Sequence, residues 1–343
     1  MDMHMTKVRR FPRMPEGSGP RAAFLVEHYK NNPTCDQGNA MRKLQYCLVD
    51  VFTNRAFGGN PLAVFTDAQN LSADTMQALA KELNLSETSF VLPARDSAHD
   101  YHVRIFTPAV ELPMAGHPTI GTAFVLAHKH LIQATEPEAT LMFEEGVGVI
   151  TVILKVQAGH LQSIQMRQPL PTFGAEFSER AAIAQMLSLD PADLDTSLPL
   201  EVVSCGVPFL FVPVKSLAAM RAIRFRRDVW ERVLRDFETP HLFTFTQEVE
   251  RAGPTVHSRM FAPAMGIAED PATGAAHGPL GCYLVRHERV NSGRTVEIIG
   301  EQGVEMGRPS LIQVTIEHEG EHIAGVYVGG QCHFMGEGYI ELP

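Results

Sequence analysis

Cysteine is scarce in this sequence, and the cysteines present are not spaced in pairs. The chain of 343 residues has five of them, scattered and without a CxxC pair, which argues against a disulfide framework and a zinc knuckle. We therefore expect reduced thiols and a cytoplasmic protein. Long apolar runs are missing as well. Stretches such as GVPFLFVPV are far shorter than the roughly 20 residues of a membrane helix, so no membrane span is predicted.

Positive charge is also in short supply. Lys and Arg total 29 against 39 Asp and Glu, for a formal net charge of −10. Apart from KVRRFPR near the start, no basic stripe is present, so the electrostatic footprint of a nucleic-acid-binding protein is missing. We expect a small-molecule partner and no nucleic acid.

Several motifs of common enzyme classes are absent. The chain has no GxSxG elbow, no phosphate loop and no GxGxxG fingerprint, so acyl-serine, phosphoryl-transfer and nicotinamide chemistry lose most of their support. A metal site is not predicted either, because no spaced set of His, Asp and Glu recurs. His128 and His130 would point apart on a helix, and EHEGEH at 317–322 is typical of a charged hairpin tip.

The length predicts two domains of roughly 100 to 200 residues each. Residues 1–40 differ from the rest, because Pro, Gly, Arg and Asn are dispersed through them with little periodicity. We expect this segment to be a disordered extension. A transit peptide is disfavoured by the scarcity of Ser and by Asp2 and Glu16.

From residue 41 onward, short strand patterns alternate irregularly with a few helices, which indicates an α+β fold. Two of the predicted helices, PTIGTAFVLAHKHL (118–131) and AAHGPLGCYLVRH (275–287), are apolar on every face. A helix of this kind belongs inside a fold.

The segments that lead into these two helices form a possible internal repeat. One begins with F-x-P-A at Phe106 and the other with F-x-P-A at Phe261. The two segments align from there to the helix start with one three-residue offset. We interpret this as a duplication. It predicts two similar domains, each a curved sheet around a central helix. The N-terminus of each helix would point toward the seam, the boundary between the two domains. In each copy an acid lies five residues before the glycine that leads the helix: Glu111 before Gly116, and Glu269 before Gly274.

Glycine and alanine at a helix start leave backbone N–H groups accessible, and the helix dipole adds partial positive charge there. Two facing helix starts would bind a carboxylate without any Arg or Lys. The small residues at Gly116 and Gly274 would let such a ligand approach closely.

Three polar residues are candidates for chemistry. Glu87 lies between a predicted helix and a strand, where sites are often built, although a solvated turn glutamate would fit the same pattern. His117 is at the start of the first central helix, where a neutral imidazole is expected and where a capping histidine is the alternative. Asp270 directly precedes Pro271 at the second helix start, and capping alone would explain it.

These features together resemble the PhzF-like (phenazine biosynthesis-like) family, whose members have the two-domain fold of diaminopimelate epimerase. The match runs from about residue 41 to the C-terminus. The blocks that carry it are VDVFTNRAFGGNPLAVF, LNLSETSFVLP, RIFTPAVELPMAGHPTIG, GIAEDPATGAA and EQGVEMGRPS.

The resemblance implies domains at 41–158 (plus about 331–343) and 159–330, an active site in the cleft between them, and a homodimer. It also implies that Glu87 is the acid/base residue, assisted by His117 and Asp270. The residues implied in substrate binding are Ser86, Gly116, Gly274 and Ala275.

The epimerase relatives of that family use two cysteines as bases, and the corresponding positions here are Ala115 and Ala275. Alanine cannot carry a proton, so two-cysteine racemisation is excluded. Ala275 also replaces the serine of the best-studied family pattern.

The function expected from the resemblance is a cofactor-independent isomerase that moves a proton on a small carboxylate, with trans-2,3-dihydro-3-hydroxyanthranilate as the type substrate. Two alternatives stay open. One is a non-catalytic module that binds small acids or proteins, and the other is an epimerase that uses Glu87 and Asp270.

Overall fold

The computed structural model describes residues 42–290, 293–320 and 322–342, so the prediction for residues 1–40 lies outside the described residues. The strands are β1 (Arg42–Val51), β2 (Asn60–Phe65), β3 (Glu87–Pro93), β4 (Tyr101–Phe106), β5 (Glu111–Leu112), β6 (Glu138–Glu145), β7 (Gly148–Gln157), β8 (His160–Gln168), β9 (Thr172–Glu176), β10 (Glu201–Ser204), β11 (Pro208–Pro213), β12 (Leu242–Thr246), β13 (Val256–Ala262), β14 (Ile267–Asp270), β15 (Thr295–Gln302), β16 (Ser310–Glu319), β17 (His322–Gly330) and β18 (Cys332–Leu342). The α-helices are α1 (Ala73–Leu83), α2 (Gly116–His128), α3 (Arg180–Leu187), α4 (Leu217–Ala222), α5 (Arg227–Val233) and α6 (Gly274–Arg286), and short 3-10 helices span Pro191–Asp193 and Pro263–Met265.

The strand pairings occur twice in the same order. In the first copy, β1–β2 is antiparallel, β2–β3 parallel, β3–β4 antiparallel, β4–β6 parallel, and β6–β7–β8 antiparallel. In the second copy, β10–β11, β11–β12, β12–β13, β13–β15 and β15–β16–β17 repeat this series of directions. The α+β fold with a large curved sheet is therefore confirmed, and the duplication seen in the sequence has a counterpart in its topology.

The two copies exchange their last strands. β9, at the end of the first copy, pairs with β10 of the second, and β18 pairs with β1 of the first. β8 and β17 also pair with each other and join the copies into one sheet of 18 strands. The domain bounds given above stay a prediction.

The two all-apolar helices lie at the centre of this fold, as predicted. α2 packs against β1, β2, β3, β7 and β8, whereas α6 packs against β10, β11, β16 and β17. The fit is close, because a Cβ atom at Gly121 of α2 would lie 2.5 Å from the Leu62 Cδ2 atom. Complete burial of each Val, Leu or Ile side chain on these helices contributes about 1.5–3 kcal/mol. The packing thus fixes where both helices begin.

Each copy also contains the same arginine–glutamate pair. Arg104 on β4 makes two hydrogen bonds of 2.7 Å to Glu111, and Arg259 on β13 makes two of 2.7 and 2.8 Å to Glu269. Both guanidinium groups lie over the ring of the phenylalanine two residues later, at 5.1 and 5.3 Å from its centroid. The acid that precedes each helix-leading glycine in the sequence is thus an ion-pair partner on the sheet.

The structure also locates the cysteines, His128 and the EHEGEH segment. Cys47, Cys205, Cys282 and Cys332 are free thiols, whereas Cys35 lies outside the described residues. The His128 ring stacks on Phe334 at 4.2 Å. In the EHEGEH segment, Glu319 lies opposite His322 where β16 and β17 pair. None of the helices in the described ranges is long and apolar enough to cross a membrane.

Candidate active site

The starts of the two central helices meet in the middle of the molecule. A Cβ atom added to Gly116 would lie 3.3 Å from the Ala275 backbone nitrogen and 3.6 Å from the Gly274 carbonyl carbon. Neither helix has a side-chain cap, because Ala115 and Thr273 at the N-cap positions make no side-chain bond to the helix N–H groups. Two positive helix ends are therefore brought together with their N–H groups uncovered.

The backbone hydrogen bonds show which N–H groups at the helix starts have no acceptor within their own helix. In α2 the N–H of Thr119 donates back to the Ala115 carbonyl at 3.3 Å, and in α6 the N–H of Ala276 donates to the Thr273 carbonyl at 3.1 Å. The N–H groups of the residues before them have no intrahelical acceptor. These are Gly116 and His117 in α2, and Gly274 and Ala275 in α6. The arrangement fits a carboxylate.

Glu87 and His117 lie beside this pair of helix starts. Glu87 is the first residue of β3 and His117 the second residue of α2, and both side chains are buried. The Glu87 Oε2 and His117 Nε2 atoms are 3.3 Å apart but are not aligned for a hydrogen bond.

Burial decides the charge of this pair. It raises the pKa of Glu87 to about 8, with a further contribution from the negative charge of Asp270. It also lowers the pKa of His117 to about 3. Near neutral pH the pair is thus mostly a carboxylic acid beside a neutral imidazole, and not an ion pair. Glu87 is poised to hold or release a proton at physiological pH.

Asp270 is held by a network from both copies of the fold. The Asn60 Nδ2 atom donates to Asp270 Oδ1 at 2.9 Å, and the Thr273 hydroxyl donates to Oδ2 at 2.5 Å. Gln302 donates from Nε2 to the Asp270 carbonyl oxygen at 2.6 Å, and its Oε1 accepts the Thr273 N–H at 3.0 Å. Burial raises the pKa of Asp270 to about 6, against the lowering effect of the Thr273 and Asn60 hydrogen bonds.

The structure therefore brings the Glu87, His117 and Asp270 side chains to the seam where Gly116 faces Gly274 and Ala275. Of the predicted residues, Ser86 directly precedes Glu87 in the chain. It is half-buried just before β3, and no contact described for its side chain joins it to the other six. A metal site has no support among the described residues, where no cluster of three or more His, Cys, Asp or Glu side chains could hold an ion.

Sequence reasoning missed the partners of Asp270. Asn60 and Gln302 both lie inside the blocks quoted above, GGNPLAVF and EQGVEMG. The two residues were therefore part of the family resemblance, but no role was predicted for them. Phe52 was also missed: it is fully buried with φ of 67°, and its ring limits position 274, where an added Cβ would lie 2.8 Å from Cζ. Only glycine fits there without a shift.

The chain is similar to a known protein family over most of its length. The model of the phenazine biosynthesis-like proteins matches residues 49–338. Among curated proteins, the chain is 39% identical over 299 residues to the trans-2,3-dihydro-3-hydroxyanthranilate isomerase of Pseudomonas aeruginosa. That match covers 87% of this chain and 99% of the relative.

Solved structures show the same similarity in three dimensions. A phenazine biosynthesis protein of the PhzF family from Bacillus anthracis is 28% identical, with a TM-score of 0.81 over 88% of this chain and all of its own length. A hydroxyproline epimerase from Agrobacterium vitis is 14% identical, with a TM-score of 0.57 over 88% of this chain and 93% of that protein. The second likeness concerns the fold alone.

Proposed function

The chain belongs to the family of phenazine biosynthesis-like proteins and is an isomerase, and from this premise we propose that it moves a proton on a small unsaturated or cyclic carboxylate through Glu87, without a cofactor. The observation that carries the proposal is the position of Glu87. The Glu87 carboxyl group, buried and with its pKa raised to about 8, lies beside His117 at two uncapped helix starts.

The helix starts hold the substrate in this proposal. The N–H groups at Gly116 and Gly274 donate to the substrate carboxylate, which therefore needs no Arg or Lys. As the reaction proceeds, electron density shifts from the reacting carbon toward this carboxylate, where fixed N–H dipoles stabilise it. The Ala275 side chain, half-buried at the seam, has no hydroxyl group and contacts the substrate without a side-chain hydrogen bond.

Glu87 carries out both proton transfers. In its ionised form it removes a proton from a carbon activated by conjugation, and the electron pair of that C–H bond enters the π system. Glu87, now protonated, returns the proton to another carbon on the same face. The double bonds shift and no atom is gained or lost. A pKa near 8 keeps both forms of Glu87 accessible.

His117 and Asp270 assist in different ways. The neutral His117 imidazole, 3.3 Å from Glu87, orients the acid through its ring nitrogen. Asp270 is fixed by Asn60 and Thr273 and interacts with polar groups of the substrate, while its negative charge helps to keep the pKa of Glu87 high. We further propose that the active unit is a cytoplasmic homodimer, on the free thiols of the chain and on the family resemblance.

The test is turnover of trans-2,3-dihydro-3-hydroxyanthranilate, the compound named for the P. aeruginosa relative, in deuterated water. We expect NMR spectra to show isomerisation with deuterium uptake at the carbon that receives the proton. A panel of other unsaturated carboxylates would define the substrate class. Binding shifts without exchange for every compound would contradict catalysis and favour a non-catalytic acid-binding module.

One observation bears on an epimerase that uses Glu87 and Asp270 as opposed bases. The two carboxyl groups are close enough for Asp270 to raise the pKa of Glu87. However, both oxygens of Asp270 already accept hydrogen bonds from Asn60 and Thr273, which leaves it a poorer base than Glu87. Inversion of a stereocentre in the same NMR experiment, with deuterium at that carbon, would support the epimerase instead.

A methyl group at Gly116 should weaken substrate binding. In Gly116→Ala the added Cβ would lie 3.3 Å from the Ala275 nitrogen, in the space where the two helix starts converge. We expect KM to rise about tenfold or more, because misplacement of bound substrate by an ångström is costly. Steady-state kinetics measure this. Gly293→Ala, where the nearest heavy atom would be 3.6 Å away, is the control. An unchanged KM in Gly116→Ala would contradict carboxylate binding at this seam.

A further inference from the structure

The repeated topology places Glu145 and Gln302 at equivalent positions. β6 ends at Glu145 and β15 ends at Gln302, and both strands have eight residues. Each pairs in parallel with the strand that carries F-x-P-A and antiparallel with the strand that follows. The last residue of each strand lies against the start of the central helix of its own copy. Glu145 has no part in the reaction proposed above.

Gln302 braces the start of α6 by donating and accepting at once. Its Nε2 group donates to the Asp270 carbonyl at 2.6 Å and to Thr273 Oγ1 at 2.9 Å, while its Oε1 atom accepts the Thr273 N–H at 3.0 Å. An amide can do both, whereas a carboxylate can only accept. A carboxyl group at the equivalent position of the first copy has both capacities only while it carries a proton.

Both short contacts of the Thr119 hydroxyl are hydrogen bonds only if Glu145 carries that proton. The Thr119 Oγ1 atom lies 2.6 Å from Glu145 Oε1 and 2.7 Å from the Ala115 carbonyl oxygen. A hydroxyl group has one proton to donate, and the carbonyl oxygen can only accept. If Thr119 donates to Ala115, the second short contact is a hydrogen bond only when Glu145 donates to Thr119. The chain Glu145 to Thr119 to Ala115 then runs in one direction and ends at the N-cap of α2.

The surroundings of Glu145 favour its neutral form. It is buried, and its Oε2 atom has no hydrogen-bond partner among the described residues. Burial raises the pKa of Glu145 to about 8.

Few titratable groups lie on the elements packed around Glu145. On α2 the titratable groups are His117, which burial keeps neutral, and His128 at the last position of the helix, whose pKa burial also lowers. On β6 the neighbouring Glu144 alternates to the other face, where its carboxylate accepts from the N–H groups of Arg95 and Asp96. In the segment before α2, Glu111 is paired with Arg104. On β7, Lys155 is paired with Glu138 at the far end of β6. No described cation is placed to hold Glu145 ionised.

We propose that Glu145, as a neutral carboxylic acid, is a positioning residue that fixes the start of α2 and keeps its N–H groups available to an anionic substrate. The inference rests on the proposed function for the identity of that anion. A neutral acid adds a hydrogen bond at the helix start but no charge. An ionised carboxylate there would attract the positive helix end and repel the substrate carboxylate.

The kinetic test compares Glu145→Gln with the wild-type enzyme across pH. Glutamine can donate and accept as the protonated acid does but cannot ionise. Near pH 7 we expect KM of the variant to stay within about twofold of the wild-type value. Above pH 8 KM should rise about three- to tenfold more in the wild type than in Glu145→Gln, because Glu87 ionises in both proteins and Glu145 in the wild type alone. The same alkaline rise in both proteins would overturn the proposal.

Thr119 supplies a matched pair of variants. Thr119→Val removes the hydroxyl at nearly the same volume and should raise KM at all pH values, with kcat affected less. Thr119→Ser keeps the hydroxyl and should restore KM. Equal KM in the valine and serine variants would mean that the hydrogen-bond chain does not position α2.

A readout independent of turnover separates this inference from the proposed function. In protein with ¹³C-labelled glutamate carboxyl groups, NMR titration should show two signals with raised pKa values, one lost in Glu87→Gln and the other in Glu145→Gln. Benzoate binding by calorimetry should weaken above pH 8 in Glu87→Gln, which retains Glu145, but not in the double variant Glu87→Gln with Glu145→Gln. If none of the tested carboxylates is turned over, the proposed function fails while these results still decide the role of Glu145. Titration of Glu145 near 4.5 would overturn the inference.

Discussion

Replacement of Glu87 by glutamine should lower kcat by about 10³- to 10⁴-fold, because general acid–base catalysis by one group contributes about 10²- to 10⁴-fold and Glu87 serves two successive transfers. The amide keeps the size of the side chain but cannot accept a proton from carbon. KM should change little, since the substrate carboxylate is held by the helix starts and not by Glu87. Loss in kcat at nearly constant KM indicates an interaction made only in the transition state.

The control for this variant is Glu82→Gln, an exposed glutamate on α1 that should keep full activity. Deuterium exchange into the substrate should vanish with turnover in Glu87→Gln. A variant that retains exchange at the wild-type rate would show that another group is the base, and Asp270 would then be the first candidate.

The same substitution should stabilise the fold at alkaline pH. Glu87 has its pKa raised from 4.5 to about 8 by burial, so the unfolded chain ionises first as pH rises. The wild-type free energy of unfolding thus falls between pH 4.5 and 8 through this group, whereas Glu87→Gln lacks that fall. Urea unfolding at pH 5 and pH 8 measures the difference. Equal pH dependence in both proteins would contradict the raised pKa.

The central helices and the duplication could be predicted from sequence because their signals are local. The segment 118–131 is apolar on every face, and such a helix has no exposed side to offer. The two F-x-P-A segments have the same order of features in the sequence, and the strand pairings around them also occur twice in the same order. Glu87, His117 and Asp270 could be proposed as site residues because each adjoins the end of a recognisable element.

The contacts that hold these residues could not be predicted, because they join distant parts of the chain. Asn60 and Asp270 are 210 positions apart, and no periodicity connects them. Glu145 lies in a strand end, FEEG, that gives no sign of burial. Its environment depends on how β6 meets α2 across the curved sheet. Charge states at the site are thus set by tertiary packing, which leaves no mark on the local pattern.

The paired arginines of the two copies predict very different costs for one substitution. Arg259 is nearly buried, with 8% of its side chain exposed, whereas its counterpart Arg104 is 20% exposed and faces a glutamate that is 42% exposed. Arg259→Met should destabilise the protein by about 3–5 kcal/mol, because it leaves Glu269 without its buried partner. Arg104→Met, the matched control, should cost about 1 kcal/mol or less. Urea unfolding at neutral pH compares them.

A second substitution tests the reason for this cost. Arg259→Met combined with Glu269→Gln removes both charges and should recover part of the lost stability. If the single Arg259 variant is as stable as the Arg104 variant, the pair does not hold the second copy together.

The loss of Arg259 should also affect the candidate active site, because Glu269 raises the pKa of its neighbour Asp270. Without Arg259 this repulsion is unopposed, so Asp270 should bind its proton more tightly, and the activity that depends on its charge should appear at higher pH.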